Sequence, residues 1–179
     1  YDKYKKIPFN KLENQLGRKL IVSSGGLGYL YSMELIFREA ILKNYKYIMI
    51  CDDDIRICND FRNKFDKLYN NLFGKFRLLM LGSSQWDWNN IKFEENYYIP
   101  NSYSNGSFAN IYHRSTFENI YNNIINFSHP FDDLPMKSNF TNNFCYVSYP
   151  NLIIAQLEES NIRKVNNTRS YEKFKWIKN

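Results

Sequence analysis

Three consecutive carboxylates, Asp52, Asp53 and Asp54, follow directly on an apolar run, Tyr47-Ile48-Met49-Ile50-Cys51. A run of this length, rich in Ile and ending in carboxylates, predicts a buried strand with its acidic groups held on a rigid support. Adjacent carboxylates repel one another unless a cation neutralises them. Their hard oxygens suit Mg²⁺ or Mn²⁺, and such ions suit a diphosphate. The competing reading is a solvated acidic turn, because Asp is common in turns; the apolar strand in front favours a site. A second acidic pair lies in the turn His129-Pro130-Phe131-Asp132-Asp133, where it either supplies a base or caps a helix over Leu134–Lys137. His113 and His129 are the only histidines. Each is a candidate further metal ligand, with a plain structural role as the alternative.

The elements that must position these groups follow from periodicity. Lys19–Ser23 reads as a short strand, and Gly25-Gly26-Leu27-Gly28 as the loop after it. Apolar residues at Met33, Ile36, Phe37, Ala40 and Ile41 predict a helix from about Leu30 to Lys43. Asp60 is placed to cap the next helix, whose stripe is Phe61, Phe65, Leu68 and Leu72, with Gly74 as its terminator. Arg77–Leu81 predicts a buried strand closed by Gly82-Ser83-Ser84. The stretch from Gln85 to Asn105 is polar and aromatic without a strong period, the signature of a long functional loop. Phe108–His113 predicts a strand. Ser115 and Glu118 have capping-box spacing ahead of a helix carrying Phe117, Ile120, Tyr121 and Ile124. Phe144–Tyr149 predicts a last strand. Alternating strands and helices imply an α/β fold with a mixed, mostly parallel sheet flanked by helices, whose ligands bind beyond the carboxyl ends of the strands.

The 179 residues are enough for a single domain, 1–179, with a tail beyond about residue 166 expected to pack loosely. Hydrophobic residues at 44% and aromatics at 18% indicate a globular chain. Heavy use of Asn, Lys and Ile fits an AT-rich genome. No apolar run is long enough to span a bilayer and nothing resembles a signal peptide, so a cytoplasmic location is the expectation. The net charge of +6 favours anionic ligands. Three cysteines without CxxC spacing argue against a disulfide framework or a zinc site, and Cys51 and Cys145 are expected to be buried.

Taken in order, these segments resemble a known pattern. Gly28-Tyr-Leu-Tyr-Ser32, the Tyr47–Cys51 strand and Asp52-Asp-Asp-Ile55 resemble the core of a GT-A glycosyltransferase, and more narrowly glycosyltransferase family 25. The resemblance continues through Leu81-Gly82, Gly106-Ser-Phe-Ala109 with Arg114, Pro130-Phe-Asp132, and Pro150, Leu152, Gln156, Ser160 and Ile162. The chain departs from the pattern at Ser32-Met33, where the family has Ser-His. It also carries few residues ahead of Gly28 for the family's first strand and loop, so an N-terminal strand is expected to be missing.

The resemblance implies a nucleotide-sugar donor, a UDP-sugar by family habit, a Mn²⁺ or Mg²⁺ cofactor, and a glycan or glycosylated protein as acceptor. It implies Asp54 as direct metal ligand and Asp52 at the metal or the ribose. Asp53 and Gly82 would lie on the nucleotide side, unless Asp53 turns back toward the protein. Asp132 is the implied base of an inverting transfer, with Asp133 in reserve. Trp86, Trp88 and Gln156 would face the acceptor; for the two tryptophans, packing of the loop against the core is the alternative. Two other classes remain: a glycosyltransferase-like binding module that has lost catalysis, and a metal-dependent nuclease. The nuclease reading lacks the separated carboxylates usual for such sites and any P-loop lysine. No nucleic-acid partner is expected, since no helix-turn-helix, zinc or RNP-type pattern is present.

Overall fold

The computed structural model describes residues 24–125, 129–140, 144–156 and 172–176. The strand expected over residues 19–23 lies outside them, as do Ser160 and Ile162 of the last motif. The chain runs through α1 (Ser24–Leu42), β1 (Tyr47–Cys51), β2 (Ile55–Ile57), α2 (Phe61–Leu72), β3 (Leu78–Met80), β4 (Ser84–Gln85), β5 (Tyr97–Tyr98) and β6 (Ser104–Asn105). It continues through β7 (Ala109–His113), a 3₁₀ turn at Arg114–Thr116, α3 (Phe117–Ile124), α4 (Leu134–Lys137), β8 (Cys145–Ser148) and β9 (Ile153–Ala155).

The main sheet has the order β1-β7-β3-β8-β5. It is mixed and flanked by helices, as expected of an α/β chain, but the mostly parallel pairing is corrected. Only β3 and β8 pair in parallel; β7 lies antiparallel between β1 and β3, and β5 antiparallel to β8. β1, β3 and β8 nevertheless point the same way. Their carboxyl ends therefore share one edge with the amino end of β7, and that edge receives Asp52, Gly82, Asn151 and Ser107.

The all-apolar reading of β3 follows from burial on both faces. Leu78 and Met80 face a core shared with α1, α3 and α4 through Phe37, Tyr112, Phe117 and Ile120. Leu79 and Leu81 face a second core with α2, β9, Phe174 and Trp176. β1 is an edge strand, so only Ile50 is buried there and Cys51 is exposed, contrary to expectation. Cys145 is buried as expected. Its thiol donates to the Asn139 carbonyl at 3.0 Å, and burial pushes its pKa up to about 12.

Several local expectations change. Gly25-Gly26-Leu27-Gly28 is no loop but the start of α1. Leu27 and Tyr29 pack on the first core, and that packing outweighs the roughly 1 kcal/mol each glycine costs a helix. Asp60 adopts a left-handed backbone and makes no capping bond to α2; it accepts from the Asn63 side chain instead. The Ser115–Glu118 capping box does not form. His113 takes that place, its Nδ1 accepting from the Ser115 amide at 3.3 Å. Gly74 does end α2, at φ +72°.

The aperiodic stretch after Gly82 is scaffolded rather than open. β4 pairs with β6, and the buried Ser104 hydroxyl donates to Gln85 Oε1 at 2.6 Å. In the tail, expected to pack loosely, Phe174 and Trp176 are buried at 0% and 4% exposed, while Glu172, Lys173 and Lys175 are exposed. Among the described residues no helix is long and apolar enough to cross a membrane.

Candidate functional site

At the carboxyl edge the β1 backbone hands Asp52 to the amino end of β7, with the Asp52 amide donating to the Phe108 carbonyl at 2.8 Å. The half-buried Asp52 carboxylate is oriented by α1. The Tyr29 hydroxyl lies 3.1 Å from Asp52 Oδ1 and 2.9 Å from Ser107 Oγ. A carboxylate can only accept, so the single phenolic proton goes to Asp52, and Ser107 donates its own proton to Tyr29. Burial first, and the Asp52 charge second, hold the Tyr29 hydroxyl protonated far above its usual range. The arrangement fixes a negative charge at the edge through a donor that does not titrate near neutrality. In sequence Tyr29 is only a letter of the Gly28–Ser32 motif, without a role; its place on a helix ahead of the aspartate strand is the available signal.

Tyr29→Phe removes the charge-assisted bond while keeping the ring. A hydrogen bond to a charged group is worth about 1.5–3 kcal/mol. We expect the variant to lose about that much stability in urea denaturation. An unchanged urea midpoint would show that the Tyr29 hydroxyl does not hold Asp52.

Asp53 and Asp54 are exposed in the turn between β1 and β2. That turn is tied down by the ribbon of β2 and β9, in which Ile55 pairs with Ala155 and the Gln156 amide donates to the Asp54 carbonyl at 2.8 Å. Gln156 is thus brought to the aspartates by its backbone. Neither strand of this ribbon was legible, since each is three residues long.

The Asp132 turn is linked to Tyr29 through the aromatic core. Phe131 packs edge-on to Tyr29 with ring centroids 6.0 Å apart, and the buried Tyr112 hydroxyl feels both Asp52 and Asp132 as charges that oppose its ionisation, after burial itself. Asp133 heads α4, but its side chain makes no capping bond; only its carbonyl accepts, from the Lys137 amide at 2.8 Å.

Gly82 is buried with its Cα against the β9 backbone. A Cβ there would stand 1.8 Å from the Ile153 carbonyl oxygen, so close packing alone demands glycine. Beside it, the Ser83 amide donates to Asn151 Oδ1 at 2.8 Å and the Trp176 indole donates to the Ser83 carbonyl at 2.7 Å. Both candidate acceptor tryptophans are half-buried and engaged by the 172–176 segment. Lys173 Nζ sits 4.2 Å from the Trp86 ring centroid, Lys175 Nζ 4.4 Å from that of Trp88, and the Trp88 indole donates to the Lys173 carbonyl at 2.9 Å. Trp88 also stacks on Phe93 and meets Tyr98 edge-on.

His113 is not brought to the aspartates. It pairs with Tyr47 at the far end of β1, four residues of strand or roughly 13 Å from Cys51. Burial first, then Lys46, Arg114 and Arg77, lower its pKa. With a folded pKa below the unfolded one, the unfolded chain takes up the proton first as pH falls. The His113 contribution is therefore full above about pH 6.5 and is lost on further acidification. Urea midpoints measured from about pH 7 to pH 5 should fall less steeply in His113→Asn, which keeps an acceptor for Ser115. His129 lies half-buried just ahead of the Asp132 turn.

The sequence profile described as glycosyltransferase family 25 (LPS biosynthesis protein) matches residues 2–129. The match contains the three aspartates, Gly82, Trp86 and Trp88, and stops short of Asp132, Asp133 and Gln156. A search of curated proteins finds no match. With most of its length matched, and an α/β fold that gathers the aspartates of that matched stretch onto one sheet edge, the chain belongs to glycosyltransferase family 25 and is an enzyme that moves a sugar from a donor to an acceptor.

Proposed function

We propose that the chain is a metal-dependent, inverting glycosyltransferase of the GT-A type that uses a UDP-sugar and a glycan or glycosylated protein acceptor. One observation supports the reading: Asp52, oriented by Tyr29, and the exposed Asp54 two residues on stand at the carboxyl end of β1, with Phe131 of the Asp132 turn packed on the same Tyr29.

Among the described residues no three His, Cys, Asp or Glu side chains gather into a cluster able to hold an ion. A Mg²⁺ or Mn²⁺ ion that arrives with a diphosphate takes one or two carboxylates and completes its shell with phosphate and water. Asp54 and Asp52 would hold the cation, which when bound offsets the negative charge growing on the leaving diphosphate. Asp53 and the Gly82 segment lie on the nucleotide side. In the transfer the bond from the anomeric carbon to the phosphate oxygen breaks, with its electron pair going to the diphosphate. The acceptor hydroxyl oxygen bonds to the same carbon from the opposite face, and Asp132 takes the hydroxyl proton, with Asp133 in reserve. Trp86, Trp88 and Gln156 flank the acceptor side.

Met33, where the family pattern has His, is 3% exposed and packs in the first core. The departure is thus accommodated as a core side chain of α1.

Calorimetric titration of UDP with and without Mn²⁺, followed by proton NMR of the product from a UDP-sugar panel, tests the reading. Metal-dependent binding and an inverted anomeric centre are expected. A folded chain with no UDP affinity in Mn²⁺ would overturn it, and retained configuration would overturn the inverting step.

A further inference from the structure

The opposite, amino edge of the sheet carries a second surface. The backbone places four cations there: the Arg114 amide donates to the Lys46 carbonyl, the His113 amide to the Arg77 carbonyl, and Lys75 lies two residues before Arg77 in the chain. Lys46, Lys75, Arg77 and Arg114 are all exposed. Among the described residues the ion pairs are Arg38–Glu34, Arg62–Asp66 and Lys67–Glu95, so none of the four is neutralised by a described carboxylate. Along the chain the nearest acidic residue to Arg114 is Glu118 at the start of α3, and those nearest to Lys46 are Asp52, at the opposite end of β1, and Glu39 in α1. A hollow lined by Lys75, Arg77, His113, Ser115 and Phe144 lies within the patch.

Large apolar side chains with little cover lie close to these cations in the chain: Leu42 and Tyr45 just before Lys46, and Phe73 just before Lys75, while Phe144 meets Arg77 directly. Leu42 is 78% exposed, Phe73 58%, Tyr45 48% and Phe144 44%. Arg77 lies over the Phe144 ring at 5.0 Å, its charge beside an apolar body. Scattered exposed apolar residues are ordinary, but four at one edge among cations that no described carboxylate neutralises are not. Water penalises the apolar part and an anionic interface rewards both parts. Aromatic rings settle at headgroup depth, aliphatic tips enter the acyl boundary, and Lys and Arg reach the phosphates. A nucleic acid would use the cations and leave Leu42 in water.

We propose that the amino edge of the sheet docks on an anionic lipid bilayer, with phosphate headgroups at Lys46, Lys75, Arg77 and Arg114 and the side chains of Leu42, Phe73 and Phe144 inserted at the interface. Docked this way, the protein turns its aspartate edge away from the lipid and toward whatever glycan extends above it.

Sedimentation of the full chain with vesicles tests this, using phosphatidylcholine alone and phosphatidylcholine with about one-third phosphatidylglycerol. Binding to the anionic vesicles alone is expected, weakening as salt shortens the Debye length. Each cation near such a surface is worth about fivefold, so Lys46→Gln with Arg77→Gln should weaken binding about 25-fold. Phe73→Ser with Phe144→Ser should weaken binding while leaving its salt dependence intact. All four positions are exposed, and unchanged thermal midpoints will show that the variants fold. Absence of binding, equal binding to neutral vesicles, or variants that bind like the parent would overturn the proposal. So would tight binding to heparin or RNA with no binding to vesicles.

Discussion

On the proposed reading, Asp54→Asn is expected to abolish Mn²⁺-dependent UDP binding and to leave the protein as stable as before. The Asp54 side chain is exposed, and its structural tie runs through its backbone carbonyl, which accepts from the Gln156 amide and is unchanged in asparagine. Substitutions of this kind shift stability by about 0.5 kcal/mol or less. Binding is another matter. An amide oxygen is a weaker ligand than a carboxylate and brings no charge to offset the ion. Loss of a residue that merely supports a metal ligand costs about 10–100-fold, so loss of a direct ligand should cost at least about 100-fold in UDP affinity with Mn²⁺. Affinity without metal should not change. Asp52→Asn should fall less far, because its Oδ1 can still accept from Tyr29. Parent-like UDP binding by Asp54→Asn would take the metal away from this turn.

Gly82→Ala is expected to unfold at a much lower temperature than the parent. The added Cβ would lie 1.8 Å from the Ile153 carbonyl oxygen and 3.1 Å from the Phe108 ring. The nearer obstacle is backbone, so no rotamer change relieves it. The Leu81 carbonyl next door accepts from the Leu152 and Ile153 amides at 2.8 and 3.0 Å, which ties the two segments together. Either those bonds break or the strand end shifts. Overpacking of this kind costs about 3 kcal/mol. For a chain of this size that is a fall of about 6–12 °C in Tm. Gly28→Ala is the matching control. Gly28 sits in α1, where an added Cβ would meet nothing within 4 Å, so alanine there should stabilise by about 0.5–1 kcal/mol. Equal Tm values for the two variants would mean that Gly82 does not sit against Ile153.

The contrast between these glycines shows what one-dimensional reading reaches. Elements with strong local period were legible: α2 from Phe61, Phe65, Leu68 and Leu72, α3 from Phe117, Ile120 and Ile124, and β3 and β8 from their apolar runs. The aspartates were legible because an apolar strand precedes them. What escaped depends on partners distant in the chain. Gly82 looked like a loop glycine because Ile153 cannot be seen beside it in sequence. Strand–helix alternation fits parallel pairing, but β7 enters between β1 and β3 from the other direction, a choice made by the sheet and not by the strand. Tyr29 could not be given its role before Asp52 and Ser107 were known to meet it. The helix over Gly25–Gly28 runs against local propensity, and tertiary packing decides it.

The ties that complete the aspartate edge all span long stretches of chain: Tyr29 to Ser107, Asp54 to Gln156, Trp88 to Lys173 and Ser83 to Trp176. A ribosome adds about 5–20 residues per second and releases them from the amino end. The aspartates therefore emerge several seconds before Gln156 and Trp176, the residues that hold their edge in place. A nascent chain carries its acidic turn without these ties through most of the synthesis of this stretch, and the edge is tied as in the folded protein only once Gln156 and Trp176 have left the tunnel.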